Sequence, residues 1–194
     1  MTFTEIKEIL ITKTVGIAGC GGLGSNCAVA LARTGIGKLI IADFDVIIMN
    51  NLNRQYYFFN QLGYKKVHAL KENIRMVDPA VQVVPYDLKL TPKDIVSIYK
   101  DCDVIIEAFD LAEMKQMLIE TVQAEMPDIP LIVGLGMAGF GKNEIIGTRK
   151  IGNLYICGDE ISEISADLPP IAPRVGIVAY MQANQALEIL LNQP

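Results

Sequence analysis

Val15-Gly16-Ile17-Ala18-Gly19-Cys20-Gly21-Gly22-Leu23-Gly24-Ser25 decides the fold. Its first four residues are apolar or small and read as a buried strand. Gly19, Gly21 and Gly24 fit G-x-G-x-x-G, the spacing that lets a chain turn tightly from strand to helix and brings backbone N–H groups close to phosphate. The helix N-terminus adds a favourable partial positive charge. A helix is expected over residues 24–34, with Leu23, Cys27, Leu31 and the intervening alanines on a closely packing face, stopped by Gly35. Residues 38–42 read as a second strand ending at Asp43-Phe44-Asp45. The order is one right-handed βαβ unit. Asp43, 19 residues after Gly24, is placed to hydrogen-bond ribose hydroxyls. The loop therefore predicts a phosphate-bearing nucleotide, with Gly19, Gly21, Gly22, Gly24, Asp43 and Asp45 around it. It does not separate NAD from ATP.

The α/β alternation continues outward. A polar and aromatic loop with short helical turns covers residues 50–59. A helix follows over 63–77 and a strand over 81–86. Thr91-Pro92 starts another helix with a capping Thr and Pro in the first turn. A buried strand is expected over 103–109, ending at Asp110, then a helix over 112–126 and a fifth strand over 131–135. Glycines then punctuate short runs. Glu144-Ile145-Ile146 and Asn153-Leu154-Tyr155-Ile156 read as antiparallel strands added to one side, and an acidic loop over 159–167 leads to a last helix over 175–191. The expected architecture is a Rossmann-like, mostly parallel sheet with helices on both faces and antiparallel strands in the C-terminal part. No internal repeat appears, and residues 1–194 read as one domain.

Composition excludes several function classes. Hydrophobic residues make up 51% of the 194 residues, so disorder is not expected. Mean hydropathy is +0.33, yet runs such as Leu39-Ile40-Ile41-Ala42 are far shorter than the roughly 18 residues a spanning helix needs. They suit strands buried on both faces. Charged residues Glu5, Lys7 and Glu8 argue against a signal peptide in the first ten residues, and a cytoplasmic location is expected. The net charge of -5 disfavours nucleic acid. Cys20, Cys27, Cys102 and Cys157 form no C-x-x-C pair, so no zinc site is expected, and they read as reduced thiols.

Other residues carry candidate chemistry. Asn51, Asn53, Arg54 and Gln55 follow the second strand, where the sheet edge opens onto the ligand crevice. A guanidinium there can hold phosphate in a fixed fork, although the stretch also reads as a solvated loop. Lys66 in a first helical turn opposes the macrodipole, which suits a phosphate partner or a solvated side chain. Asp110 suits Mg²⁺, or the N-cap of the next helix, or both. Cys157 is a candidate thiol nucleophile, with a buried structural cysteine as the competing reading. His68, the only histidine, reads as a surface residue, and no hydrolase triad is present.

The glycine loop, Asp43-Phe44-Asp45, Asn51-Leu52-Asn53-Arg54-Gln55, Gly63-Tyr64-Lys65-Lys66 and Asp110 follow one another in an order and spacing that resembles the ThiF/MoeB superfamily, relatives of the ubiquitin-activating enzymes. Tyr155-Ile156-Cys157-Gly158-Asp159-Glu160 and Ala172-Pro173-Arg174-Val175-Gly176 resemble a short, zinc-less ThiF subgroup of thiamine biosynthesis. The resemblance implies ATP-dependent adenylation of the C-terminal glycine carboxylate of a small ubiquitin-like sulfur carrier ending in Gly-Gly, of the ThiS kind. It implies that Gly21 and Gly22 meet phosphates, that Asp43 binds ribose, that Asn51, Arg54 and Lys66 neutralise phosphate oxygens, and that Asp110 holds Mg²⁺. It further implies a homodimer. The chain departs from the pattern in three places: it has no C-x-x-C pairs, Leu111 follows Asp110 where Asn is common, and only Lys7 and Lys13 precede Gly19 where relatives have an Arg. A non-catalytic ATP-binding sensor or scaffold and an NAD-dependent oxidoreductase are the competing readings. The oxidoreductase leaves Arg54, Lys66 and Asp110 without a role.

Overall fold

The computed structural model describes residues 1–192. The chain runs α1 (Phe3–Leu10), β1 (Thr14–Ala18), α2 (Gly22–Thr34), β2 (Lys38–Ala42), α3 (Lys66–Val77), β3 (Gln82–Tyr86), α4 (Pro92–Tyr99) and β4 (Val104–Glu107). It continues α5 (Ala112–Glu125), β5 (Leu131–Gly134), β6 (Gly147–Ile151), β7 (Leu154–Gly158) and α6 (Ala172–Asn192). One sheet holds the strands in the order β3-β2-β1-β4-β5-β7-β6, and every neighbouring pair is parallel except β6 with β7.

Strand alternation divides the core into two layers. Val15, Ile17, Leu39, Ile41, Val104, Ile106, Ile132 and Cys157 point to the side of α2, α3 and α6. Ile40, Ile105, Leu131, Val133 and Ile156 point to α4 and α5. With both faces covered, the strands need apolar residues at successive positions. Small residues set the closest approaches. A Cβ on Gly16 would stand 2.5 Å from the Tyr99 ring, so β1 gives up a side chain to seat Tyr99, whose hydroxyl donates to the Ile17 carbonyl at 3.0 Å.

The differences from the sequence reading have local causes. Helix α1 is capped by a reciprocal Thr2–Glu5 box. The stretch Glu144-Ile145-Ile146 is not a strand: Asn143–Ile145 form a 3₁₀ turn, entered through left-handed Gly141 and Lys142. The strand comes later, as β6, whose five residues are all exposed. Its Arg149 and Lys150 suit a sheet edge. Strand β7 runs antiparallel to β6 but parallel to β5, because the β6 hairpin reverses the chain twice. Among the described residues no helix is long and apolar enough to cross a membrane.

Candidate functional site

Strand order reverses at β1 and β4, and the C-terminal ends of these strands part to leave a crevice, the usual ligand position in such sheets. Here it is a cavity of about 970 Å³. Gly19, with φ of 99°, forms one lip; a Cβ there would press to 2.7 Å from the Ala108 carbonyl oxygen. A Cβ on Gly24 would lie 1.9 Å from the Gly19 oxygen, so Gly24 lets α2 rest on the loop. Gly24 is a packing residue and does not line the cavity. Gly21 is different. Its missing side chain faces open space, with Gln55 Nε2 the nearest atom at 3.7 Å. Helix α2 begins at Gly22 with no capping side chain, so its first-turn N–H groups are available to a ligand.

The segment after β2 is fastened to this loop. Ser25 Oγ donates to the Gly21 carbonyl at 2.6 Å and accepts from Tyr56 N at 2.9 Å. Asn26 Nδ2 donates to the Gly22 and Arg54 carbonyls at 2.7 and 2.9 Å. The Tyr57 hydroxyl donates to the Cys20 carbonyl at 2.7 Å. Arg54 is thereby held at the cavity, its Nη1 donating to Asn53 Oδ1 at 2.8 Å.

Asp43 ties the loop to β2. Its two carboxylate oxygens accept from Cys20 N at 2.7 Å and Asp45 N at 2.8 Å. Each oxygen keeps a lone pair for a ligand hydroxyl. Burial pushes the Asp43 carboxyl above its ordinary range, against the pull of Lys66 and the two amides. Lys66, the first residue of α3, is 6% exposed, and its Nζ lies 2.6 Å from Asp45 Oδ2 and 4.0 Å from Asp43 Oδ2. These carboxylates offset the unfavourable placement of a cation at a helix N-terminus. Asp45 thus anchors Lys66.

Gly19, Gly21, Gly22, Asp43, Asp45, Arg54, Lys66 and Asp110 all line the one cavity. Besides Gly24, the sequence expectation changes at three residues. Asn51 is not on the cavity wall: it is buried, and its Oδ1 accepts from Ile48 N at 2.9 Å, closing its own turn. Asp110 does not end a strand, since β4 stops at Glu107, and α5 takes Leu111 as its N-cap without a side-chain bond. Asp110 stands exposed in the intervening loop, free of capping duty. Cys157 is fully buried on β7 beside Thr148 Oγ1 at 3.6 Å and away from the cavity. Burial pushes its thiol pKa up, against the Thr148 hydrogen bond, and so disfavours the thiolate form.

Two buried ion pairs were not read from the sequence. Glu107, fully buried, pairs with Lys115, which also donates to the Gly134 carbonyl at 2.9 Å and lines the cavity. Burial raises the Glu107 carboxyl, and Lys115 works against that. The signal was a carboxylate at the end of Val104-Ile105-Ile106, where a buried charge demands a partner. The second pair, Asp159–Arg174, is buried beneath the far wall. Asp159 Oδ1 also accepts from Ile161 N at 2.9 Å and Ser162 N at 2.8 Å. Burial opposes its ionisation, but these amides, the Ser162 hydroxyl and Arg174 outweigh burial and hold its pKa at about 2.

The sheet, its switch point and the glycine loop define a Rossmann-like α/β chain with a phosphate-loop geometry. The chain belongs to the ThiF family, whose model matches residues 4–194. It is 35% identical over 183 residues to the adenylyltransferase and sulfurtransferase MOCS3 of Xenopus laevis, covering 91% of this chain and 40% of that protein. It is 24% identical to the molybdopterin-synthase adenylyltransferase of Salmonella typhimurium, covering 96% of this chain and 76% of that protein. The chain spans 31 to 40% of the length of three of the curated relatives it matches. Among solved structures, the ATP complex of the tRNA N6-threonylcarbamoyladenosine dehydratase TcdA of E. coli shares the fold. Its TM-score is 0.85 at 21% identity, covering 96% of this chain and 89% of that one.

Proposed function

We propose that this chain is an ATP-dependent adenylyltransferase that activates the C-terminal glycine carboxylate of a small ubiquitin-like sulfur carrier ending in Gly-Gly. One observation carries the reading: the open face of Gly21, the uncapped first turn of α2, Arg54, Lys66 and Asp110 surround a single cavity. That set suits a polyphosphate. Several curated relatives carry the name adenylyltransferase, which supports the same reaction.

In this reading the chain's residues divide the work. Asp43 accepts ribose hydroxyls through its remaining lone pairs. The Gly21–Gly22 backbone, Arg54 and Lys66 hold phosphate oxygens. A carboxylate oxygen of the carrier forms a bond to the α-phosphorus, the α–β bridging P–O bond breaks, and pyrophosphate leaves with its electron pair. The nucleophile is already ionised, so no general base is needed, and fixed cations supply most of the stabilisation of the added charge. Mg²⁺, which takes one or two carboxylates plus phosphate oxygens, fits the exposed carboxylate of Asp110 and would supply charge neutralisation when bound. Among the described residues no group of three or more His, Cys, Asp or Glu could hold a metal, so the nucleotide's phosphates complete any such site.

The finer assignment is a ThiS-type carrier in thiazole formation, with this chain as a cytoplasmic homodimer and one adenylating domain. It rests on the resemblance of residues 155–160 and 172–176. Incubation with ATP and the carrier, followed by mass spectrometry of the intact carrier, tests the reaction. A gain of one AMP supports it. ATP binding with no carrier adduct favours the sensor or scaffold, and NAD binding without ATP binding favours the oxidoreductase.

A further inference from the structure

The polar groups of the cavity wall are mostly paired. Asp43 is held by two amides, Lys66 by two carboxylates, and Lys115 by Glu107 and a carbonyl. Gln55 is the exception. It is 9% exposed, lines the cavity, and its Oε1 is buried with no hydrogen-bond partner. Its Nε2 stands over the open side of the phosphate loop, 3.7 Å from where a Cβ on Gly21 would be. The backbone beneath it is fixed: Gln55 N donates to the Asn51 carbonyl, and the Gln55 carbonyl accepts from Tyr57 N, each at 2.9 Å. Ser25 and Asn26 clamp the residues on either side. A buried acceptor left without a donor is uncommon and destabilising, so a bound group is the natural partner.

The chemistry of the reaction narrows that group. Phosphate oxygens and a carboxylate offer only acceptors, and neither can satisfy Oε1. The donors of an adenine nucleotide are its ribose hydroxyls, which this reading gives to Asp43, and its amino group, which the ribose separates from the phosphates. The donor that reaches the phosphates from the other substrate is the N–H of the acceptor's last peptide bond.

We infer that the Gln55 carboxamide reads the terminal peptide unit of the acceptor. Oε1 accepts the N–H of the last residue while Nε2–H donates to an oxygen on the phosphorus or on the attacking carboxylate. This rests on the adenylation reading and narrows its substrate class, from carboxylates in general to a peptide C-terminus whose last residue keeps its amide hydrogen.

The test compares a carrier ending in Gly-Gly with the same carrier made semisynthetically with an N-methylated last glycine. ATP–pyrophosphate exchange is measured with each, in the parent protein and in Gln55→Met. The parent is expected to lose about tenfold or more in kcat/KM on N-methylation, the loss expected when a site's buried polar group is left unpaired. Gln55→Met is expected to treat the two carriers within about twofold, since its own rate no longer depends on that bond. Gln55→Glu keeps the acceptor oxygen and is expected to keep the discrimination at a lower rate. Without ligands, Gln55→Met is expected to melt no lower than the parent, because it removes an unpaired buried acceptor; a purely structural role for Gln55 would lower the melting temperature. Equal use of both carriers by the parent, or an undiminished N-methyl penalty in Gln55→Met, would overturn the role of Gln55 alone. No exchange with either carrier would overturn the adenylation reading, and the role of Gln55 with it.

Discussion

The two walls of the cavity are built by opposite means. The wall of residues 19–25 uses backbone: glycines allow approaches no side chain would tolerate, and the first turn of α2 has no side-chain cap. The far wall, from residues 135–141 and 159–170, uses side chains. Arg174 in the first turn of α6 donates to Asp159 and to the Gly141 carbonyl, so one buried guanidinium joins both loops. Gly139 N to the Pro169 carbonyl at 2.9 Å and Ala138 N to Ser162 Oγ at 3.1 Å add further ties. The backbone wall depends on the absence of atoms. The far wall depends on a charge that must be neutralised.

That contrast can be broken at either wall, and the largest effect is expected at the far one. Arg174→Met leaves the Asp159 carboxylate buried without its cation, and is expected to lower unfolding free energy by about 3–5 kcal/mol in urea denaturation. ATP affinity, read by calorimetry on the protein that stays folded, should change far less, because the backbone wall makes no use of Arg174. Gly24→Ala places a Cβ 1.9 Å from the Gly19 oxygen. About 3 kcal/mol of destabilisation is expected, with ATP binding lost by the same calorimetry, since the loop itself must shift.

Arg54→Ala sharpens the comparison without disturbing either wall. A cation that acts on charge developing in the transition state should cost about hundredfold in kcat, with the dissociation constant for ATP changing less than tenfold. Equal losses in both would make Arg54 a ground-state binder. The smallest effect is the pH response of the far wall. Asp159 has a folded pKa of about 2 against an ordinary carboxylate value of 3.8. A depressed carboxylate contributes stability that is fully present above its unfolded pKa and lost as pH falls through the folded one. The difference corresponds to about 2 kcal/mol. Asp159→Asn should therefore lack that share of the acid sensitivity between pH 5 and pH 2 in denaturation curves.

What the sequence disclosed follows the same division. The glycine spacing, the apolar runs and the capping Thr91 before Pro92 are local patterns, and they located β1, β2, α4 and the near wall with little error. Strand β2 matches its expectation at both ends. Asn51 reads as a ligand contact because it lies three residues before Arg54, whereas its carboxamide closes its own turn off the cavity wall. Glu144-Ile145-Ile146 misled because its apolar residues resembled a strand, while the real edge strand β6 is polar. The sequence reads Asp159 as the start of an acidic loop and Arg174 as part of Ala172–Gly176, with nothing local to pair them. Only the fold, which brings the end of β7 against the start of α6, makes them partners.

The proposed transfer of AMP to a carrier's C-terminal carboxylate stands or falls on ATP–pyrophosphate exchange measured with and without a carrier ending in Gly-Gly. Exchange that appears only with the carrier, and disappears when its terminal glycine is removed, is the expected result. Exchange independent of the carrier, or none under conditions where calorimetry shows ATP and carrier both bound, would contradict the claim.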